Sequence, residues 1–407
     1  MALISRHSFG TIVDHFALGH SNLIRQNPTM LHTERFHVLD SFRGLCALSV
    51  VLYHLHVPQS LTELVFFRNA ELFVDFFFVL SGFVLAHGYG TKHNIDLKKF
   101  LISRTFRIFP LHIAMLLVFI LLELAKLLAY RNGVSFGEAP FTANRAVSEI
   151  LPNLLLVQAW TDATNKLSFN YPSWSISIEY YMYLFFAALT LCGTRPRYIA
   201  WTIISASMFL ALYAGSEIFT EAAMRGLSSF FAGALAYLVF VFVKNNAPPG
   251  RALTMALEPL LLVAACWLVT ADIDHKSILT SLVFCCIAIV FAFEQGRISD
   301  LLRTPLLTTL GKLSYSIYMT HIAVIFCVIA LSIVLQKILG KEFSYMVGEA
   351  RYLDFGNLIL NNFLVFAILA AVILCSTVTY RYIETTGQNI GKRILKARPS
   401  PERNLAL

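Results

Sequence analysis

The sequence predicts an all-α, polytopic membrane protein with about ten transmembrane helices and both termini in the cytoplasm. Composition carries the class: 57% of the 407 residues are hydrophobic and only 14% are charged, more apolar sequence than a soluble core needs. Spacing carries the count. Apolar stretches fall at about 38–56, 71–90 and 108–129, a fourth opens at Trp174, and six more follow at about 199–215, 226–243, 252–270, 278–293, 313–335 and 357–380. The chain then divides into a cytoplasmic N-terminal extension (1–35), a ten-helix domain (36–384) and a basic cytoplasmic tail (385–407).

The net charge of +8 does not call for a nucleic-acid partner, because an excess of Lys and Arg in cytoplasmic loops is the ordinary result of membrane insertion. With both termini inside, 22 of the 32 Lys and Arg fall on the cytoplasmic side or at the inner membrane edge, 9 fall outside and Lys126 lies within the third span. Residues 1–35 lack the continuous apolar core and small-residue cleavage site of a secretory signal. From Lys92 to Arg107 runs the densest basic stretch between apolar segments, which reads as a cytoplasmic loop. The segment 131–172 reads as external, punctuated by Gly133, Gly137, Pro140 and Pro152, and its apolar piece at 148–160 is too short to span, so it reads as interfacial or re-entrant. Pro248, Pro249 and Gly250 break the chain between two spans. The seven cysteines have no paired spacing, so neither a metal site nor a disulfide framework is expected.

Chemistry enters with the first span. Arg43 and His54 are eleven residues apart, which on an α-helix puts both on one face, about 16 Å apart along the axis. Charge on a membrane-spanning face is costly and usually faces a protein interior or a cavity. Taken singly, Arg43 also reads as a snorkelling side chain and His54 as an interfacial histidine. Further candidates are Asp75 with Ser81-Gly82 in the second span, and Arg104 with Arg107 at the start of the third. Trp174, Ser175 and Glu179 open the fourth span, and Tyr315, Tyr318 and His321 share a face of the ninth. The plainer alternatives are lipid anchoring for the arginines, an aromatic belt around a hydrated Glu179, and core aromatics beside one bonded histidine. Sorted by depth, Arg43, Arg104 and Arg107 are expected near the cytoplasmic mouth, and His54, Asp75 and Glu179 in the outer half. That layout suits a ligand with an anionic head in the cytoplasm and a reactive tail threaded inward.

Five ordered motifs then resemble the membrane-bound acyltransferase family 3, the integral-membrane O-acyltransferases of sugars and envelope polysaccharides. They are Leu39 to Leu45 running on to His54, Val74 to Phe83, Arg104 to Pro110, Trp174 to Glu179, and Leu310 to His321. The resemblance implies ten helices in a bacterial cytoplasmic membrane, with acetyl-CoA or another acyl-CoA entering from the cytoplasm as co-substrate. It implies transfer of the acyl group to a hydroxyl of a sugar, polysaccharide or glycolipid. His54 becomes the catalytic histidine and Arg43 its essential partner; Arg104 and Arg107 belong to the donor-binding motif with Ser81 beside them, and Glu179 to the Trp-Ser-x-x-x-Glu motif. Trp174, Ser175, Tyr315, Tyr318 and His321 are the expected acceptor or pocket residues. Ser103 stands where the family often has a second arginine, and no hydrolase-like domain follows the tenth helix in this sequence.

In that chemistry a neutral His54 removes the acceptor proton, and either Asp75 or Glu179 orients its imidazole. An acyl-histidine intermediate is a second route. The rival from another class is a transporter or flippase, since intramembrane ionisable residues also mark substrate pathways. The 131–172 segment is the expected site of acceptor contact.

Overall fold

The computed structural model describes residues 35–92, 95–133 and 139–396. Nearly all of the expected N-terminal extension, Gly137 and the tail after Lys396 lie outside the described residues. We number the longer helices in chain order: α1 (His37–His54), α2 (Phe73–Leu85), α3 (Leu97–Arg131), α4 (Ser173–Leu189), α5 (Thr194–Tyr213), α6 (Glu221–Asn246), α7 (Arg251–Thr270), α8 (Lys276–Phe291), α9 (Pro305–Leu339), α10 (Leu358–Thr379) and α11 (Thr385–Lys396). Each apolar stretch named from the sequence corresponds to one of α1 to α10. Among the described residues, six helical stretches are long and apolar enough to cross a membrane: Ala70–Gly90, Leu97–Arg131, Glu221–Asn246, Arg251–Thr270, Pro305–Leu339 and Leu358–Lys396. Asp40 and Arg43 lower the hydropathy of α1, and α4 and α8 are short, with 17 and 16 residues.

Three parts differ from the sequence reading. The basic run is helical rather than a loop from Leu97 onward, because Asp96 caps α3 by accepting the Lys99 N–H at 2.9 Å. The basic tail begins as the helix α11, which packs on α3 through two glycines. A Cβ at Gly387 would meet Pro110 Cγ at 2.4 Å, and one at Gly391 would meet Phe106 Cβ at 2.8 Å. The 148–160 piece folds into the short helix Ile150–Leu155, well under the length of a span. Between α9 and α10 lies an unforeseen antiparallel hairpin, β1 (Ser344–Val347) and β2 (Ala350–Leu353), turned at Gly348 with φ +58°. The Leu353 N–H donates to the His56 carbonyl at 3.0 Å, which fastens the hairpin to the chain just after α1.

The crossing of α1 and α9 positions the site. A Cβ on Gly44 would stand 2.6 Å from Gly311 N, and one on Gly311 would stand 2.2 Å from the Asp40 carbonyl, so the two backbones touch where neither residue has a side chain. From that crossing both helices run the same way. Ten residues on, about 15 Å further, they deliver His54 and His321 side by side.

Candidate active site

His54 ends α1 and His321 lies within α9, with Nδ1 of the first 3.2 Å from Nε2 of the second. Each ring also meets the carbonyl one turn back: His54 Nδ1 to Val50 O at 3.0 Å, His321 Nδ1 to Ile317 O at 3.2 Å. A carbonyl oxygen only accepts, so these contacts assign the proton to Nδ1 on both rings. His321 Nε2 then accepts from His54 Nδ1–H, and His54 Nε2 carries a lone pair. His321 is fully buried, whereas His54 is half-buried and lines a cavity.

That cavity, of about 760 Å³, opens at the His54 end of α1. Its walls include Tyr53, Glu71, Trp174, Arg225 and Tyr318, together with Arg145, Lys166 and Tyr171 from the 131–172 segment and Arg351 from the hairpin. A second, narrower cavity of about 60 Å³ lies toward the other end of α1 and is lined by Arg43, Ser81, Arg107, Ser175, Glu179, Tyr183 and Tyr315. Tyr318 lines both, with its hydroxyl 2.8 Å from Ser175 Oγ. The pair Tyr318 and Ser175 is therefore the partition between an arginine-lined chamber and a histidine-lined one.

Charge in the two chambers is arranged differently. Arg43 and Arg107 form no ion pair or hydrogen bond with protein groups among the described residues, although both are half-buried. In the outer chamber Arg225 donates from Nε and Nη2 to the two Asp75 oxygens, each at 3.1 Å, and Arg145 donates to Glu123 at 2.6 Å. Arg68 is spent on backbone: it donates to the carbonyls of Leu52, Leu55 and Thr62 at 2.6–2.7 Å and to His56 Nδ1 at 2.7 Å. It thereby caps the carbonyl end of α1 that carries His54. Outside the helices, burial first and the adjacent Arg68 second hold the His56 imidazole below its ordinary pKa.

Two expectations are corrected. Neither Asp75 nor Glu179 orients the His54 ring. Asp75 is fully buried and occupied by Arg225 and by Ser277 Oγ at 2.8 Å; among the described residues the only side chain bonded to His54 is His321. Nor does Glu179 belong with the outer group. It accepts from the hydroxyls of Ser81 and of Tyr183, the latter at 2.5 Å, and lines the inner cavity with the arginines. Arg104 lines neither described cavity and lies instead against the rings of Tyr89, Phe100 and Tyr183, 5.6–5.8 Å from their centroids. Tyr315 donates to the Ile108 carbonyl at 2.7 Å, which ties α9 to α3 beside Arg107. Sequence reasoning missed Arg225, Arg68 and the hairpin. Arg225 stands one residue before the apolar stretch at 226–243, where a cation reads as an interfacial flank, and only the fold puts Asp75 opposite it.

Comparison with known proteins gives a consistent picture. The model of the acyltransferase 3 family, described as an acyltransferase domain, matches residues 36–381. A Staphylococcus aureus (strain COL) protein named "putative O-acetyltransferase" is 26% identical over 396 residues, 89% of this chain and 59% of the relative. The acyltransferase MdmB of Streptomyces mycarofaciens is 31% identical over 156 residues, 36% of this chain and 37% of the relative. A Rhizobium radiobacter protein named "Protein 2 in picA locus" is 44% identical over 87 residues, 20% of this chain and 41% of the relative. The chain thus spans less than two thirds of the length of these curated relatives. No solved structure matches.

Proposed function

The chain belongs to the acyltransferase 3 family, and we propose that it is an integral-membrane enzyme that carries an acetyl or other short acyl group from acyl-CoA across its own thickness to a sugar hydroxyl. The observation that carries this reading is the pair of chambers meeting at Tyr318, with uncommitted arginines in one and His54 in the other. Helices α1 to α10 are read as the ten spans, in a bacterial cytoplasmic membrane, with both termini inside. The anionic coenzyme is held from the cytoplasmic side by Arg43 and Arg107, whose guanidinium groups suit phosphate oxygens. The acceptor, a hydroxyl of a saccharide or glycolipid, enters the outer chamber.

The chemistry follows from the tautomer. His54 Nε2 takes the acceptor hydroxyl proton as the oxygen attacks the thioester carbonyl. The tetrahedral intermediate collapses, the C–S bond breaks, and the imidazolium returns its proton to the leaving thiolate. Throughout, Nδ1–H of His54 stays donated to Val50 O and His321 Nε2, so the ring is oriented and its positive charge is met by two acceptors. Family membership and the relatives' names favour this enzyme over a transporter.

The test is acetyl-CoA turnover by protein purified in detergent. His54→Ala is expected to lower turnover by roughly 10²–10⁴, the usual worth of a general base, with the elution profile of folded protein retained. Arg43→Ala is expected to raise KM for acetyl-CoA. Normal turnover by His54→Ala would remove the histidine assignment, and failure of the wild type to bind or consume any short acyl-CoA would remove the donor.

A further inference from the structure

The chemistry at His54 leaves one charge without a partner. As an acceptor oxygen attacks, the thioester carbonyl oxygen becomes negative, and a fixed donor aimed at that atom is usually the largest single contribution to rate. His54 does not supply it. Its Nε2 is the base, and its Nδ1–H is directed to Val50 O and His321 Nε2. Of the two chambers, Arg43 and Arg107 line only the inner one.

The fold puts a hydroxyl between the two. Helices α1 and α9 run the same way from the crossing at Gly44 and Gly311, so Tyr318 stands seven residues on, about 10 Å along the axis, and one turn short of His321. It is buried and lines both chambers, with its ring centroid 6.0 Å from that of His321 and 5.7 Å from that of Phe77. Ser175 Oγ lies 2.8 Å from the Tyr318 hydroxyl and 3.1 Å from the Pro172 carbonyl. A carbonyl only accepts, so Ser175 donates to Pro172 and accepts from Tyr318.

This chain of hydroxyls is re-aimed by two bond rotations. Turning Tyr318 O–H toward a new acceptor frees the Ser175 oxygen, and Ser175 O–H then turns from Pro172 to the Tyr318 oxygen. Pro172 O keeps the Ser175 backbone N–H at 3.3 Å. A hydrogen bond to a charged oxygen is about twice as strong as a neutral one, so the exchange runs toward an oxyanion.

Resting on the acyltransferase reading, we propose that Tyr318 is a catalytic residue whose hydroxyl donates to the thioester carbonyl oxygen and holds that atom as it becomes charged. Ser175, donating to the Tyr318 oxygen, is its positioning residue. The acceptor oxygen bonds to the carbonyl carbon and the C=O π pair moves onto oxygen, where Tyr318 O–H meets it. On collapse that pair re-forms C=O, the C–S bond breaks, and the thiolate leaves. Tyr318 keeps its own proton throughout.

Two measurements on the full chain in detergent test this. Tyr318→Phe keeps the ring and removes the hydroxyl; its kcat is expected to fall roughly 10²–10³, the worth of one oxyanion donor, with KM for acetyl-CoA near wild type. Ser175→Ala is expected to lower kcat only several-fold. For the second measurement, acetyl-CoA isotope-labelled at the carbonyl carbon is bound to His54→Ala, which spares it from turnover, and its carbonyl stretch is read by difference infrared spectroscopy. Adding Tyr318→Phe is expected to move that band to higher frequency, as a carbonyl does on losing a hydrogen bond. A kcat within about threefold of wild type in Tyr318→Phe would overturn the proposal. So would a lowered kcat with the band unmoved, which would leave Tyr318 as a wall between the chambers and nothing more. A wild type that neither binds nor consumes acetyl-CoA would instead remove the donor reading above, and this assignment with it.

Discussion

The chambers on either side of Tyr318 treat their arginines in opposite ways. Outside, Arg225 is bound to Asp75, Arg145 to Glu123 and Arg68 to carbonyl oxygens, so those cations are consumed by the fold. Inside, Arg43 and Arg107 line a cavity with Glu179 and form no hydrogen bond or ion pair with protein groups among the described residues. A guanidinium removed from water without a partner is costly. Under the proposed function, two such groups facing one cavity suit a ligand that brings negative charge. On that reading the contrast separates structural from ligand-directed charge, and substitutions can break it at several points.

The largest effect is expected at Asp75. Because it is buried against Arg225, Asp75→Ala leaves that cation only the exposed Glu221 at 3.8 Å and should destabilise the fold by about 3 kcal/mol. The measurement is thermal unfolding in detergent, together with the yield of membrane-inserted protein. A variant of normal stability that had lost all turnover would return Asp75 to the catalytic list and blur the contrast between the chambers.

Arg107 comes next. Since it gives up no hydrogen bond or ion pair among the described residues, Arg107→Ala should cost little thermal stability. KM for acyl-CoA should rise roughly 10- to 100-fold, as expected for one lost hydrogen bond to a charged group. KM for the acceptor should not move, because the residue lines only the inner cavity. An equal rise in both constants would mean that the chambers are not separate sites.

A smaller effect is expected at His321, which the proposed mechanism makes a positioning residue acting through His54. His321→Ala should lower kcat about tenfold while leaving both KM values near wild type, and should displace the acid limb of the kcat profile, since the imidazolium loses one acceptor. His321→Asn, which retains an acceptor oxygen, should recover part of the loss. A purely structural role would reduce stability without moving the pH profile.

These cases also mark what was legible in the sequence. The helices could be read because ten apolar stretches advertise themselves, and the Arg43 and His54 face could be read because helical periodicity is local. The partner of His54 could not. The carboxylates expected at its depth, Asp75 and Glu179, are reasonable candidates, but which side chain faces which depends on the crossing at Gly44 and Gly311. Likewise Glu179 reads as outer because it opens the fourth span, whereas the hydroxyls of Ser81 and Tyr183 hold it in the inner chamber. The hairpin was invisible because four-residue strands carry little periodic signal, although Val347-Gly348-Glu349-Ala350 is a credible tight turn.

The smallest effect concerns the outer chamber's rim. His56 accepts from Arg68, its ring lies 5.0 Å from that of Tyr352, and its carbonyl holds the hairpin through Leu353. Burial and Arg68 both disfavour its charged form, so its folded pKa lies below the ordinary value of 6.5. The unfolded chain then binds the proton more readily than the folded one. The sign follows: the contribution to stability is present above about pH 6.5 and is lost as pH falls through the lower folded value. Protonated, His56 can no longer accept from Arg68, and the cap on the His54 end of α1 loosens. The apparent Tm should therefore fall between pH 7 and pH 5 more steeply in wild type than in His56→Asn, whose side-chain oxygen accepts at any pH. Identical slopes would show that the rim is held by Arg68 and the backbone carbonyls alone, and that His56 contributes only its own carbonyl to the hairpin.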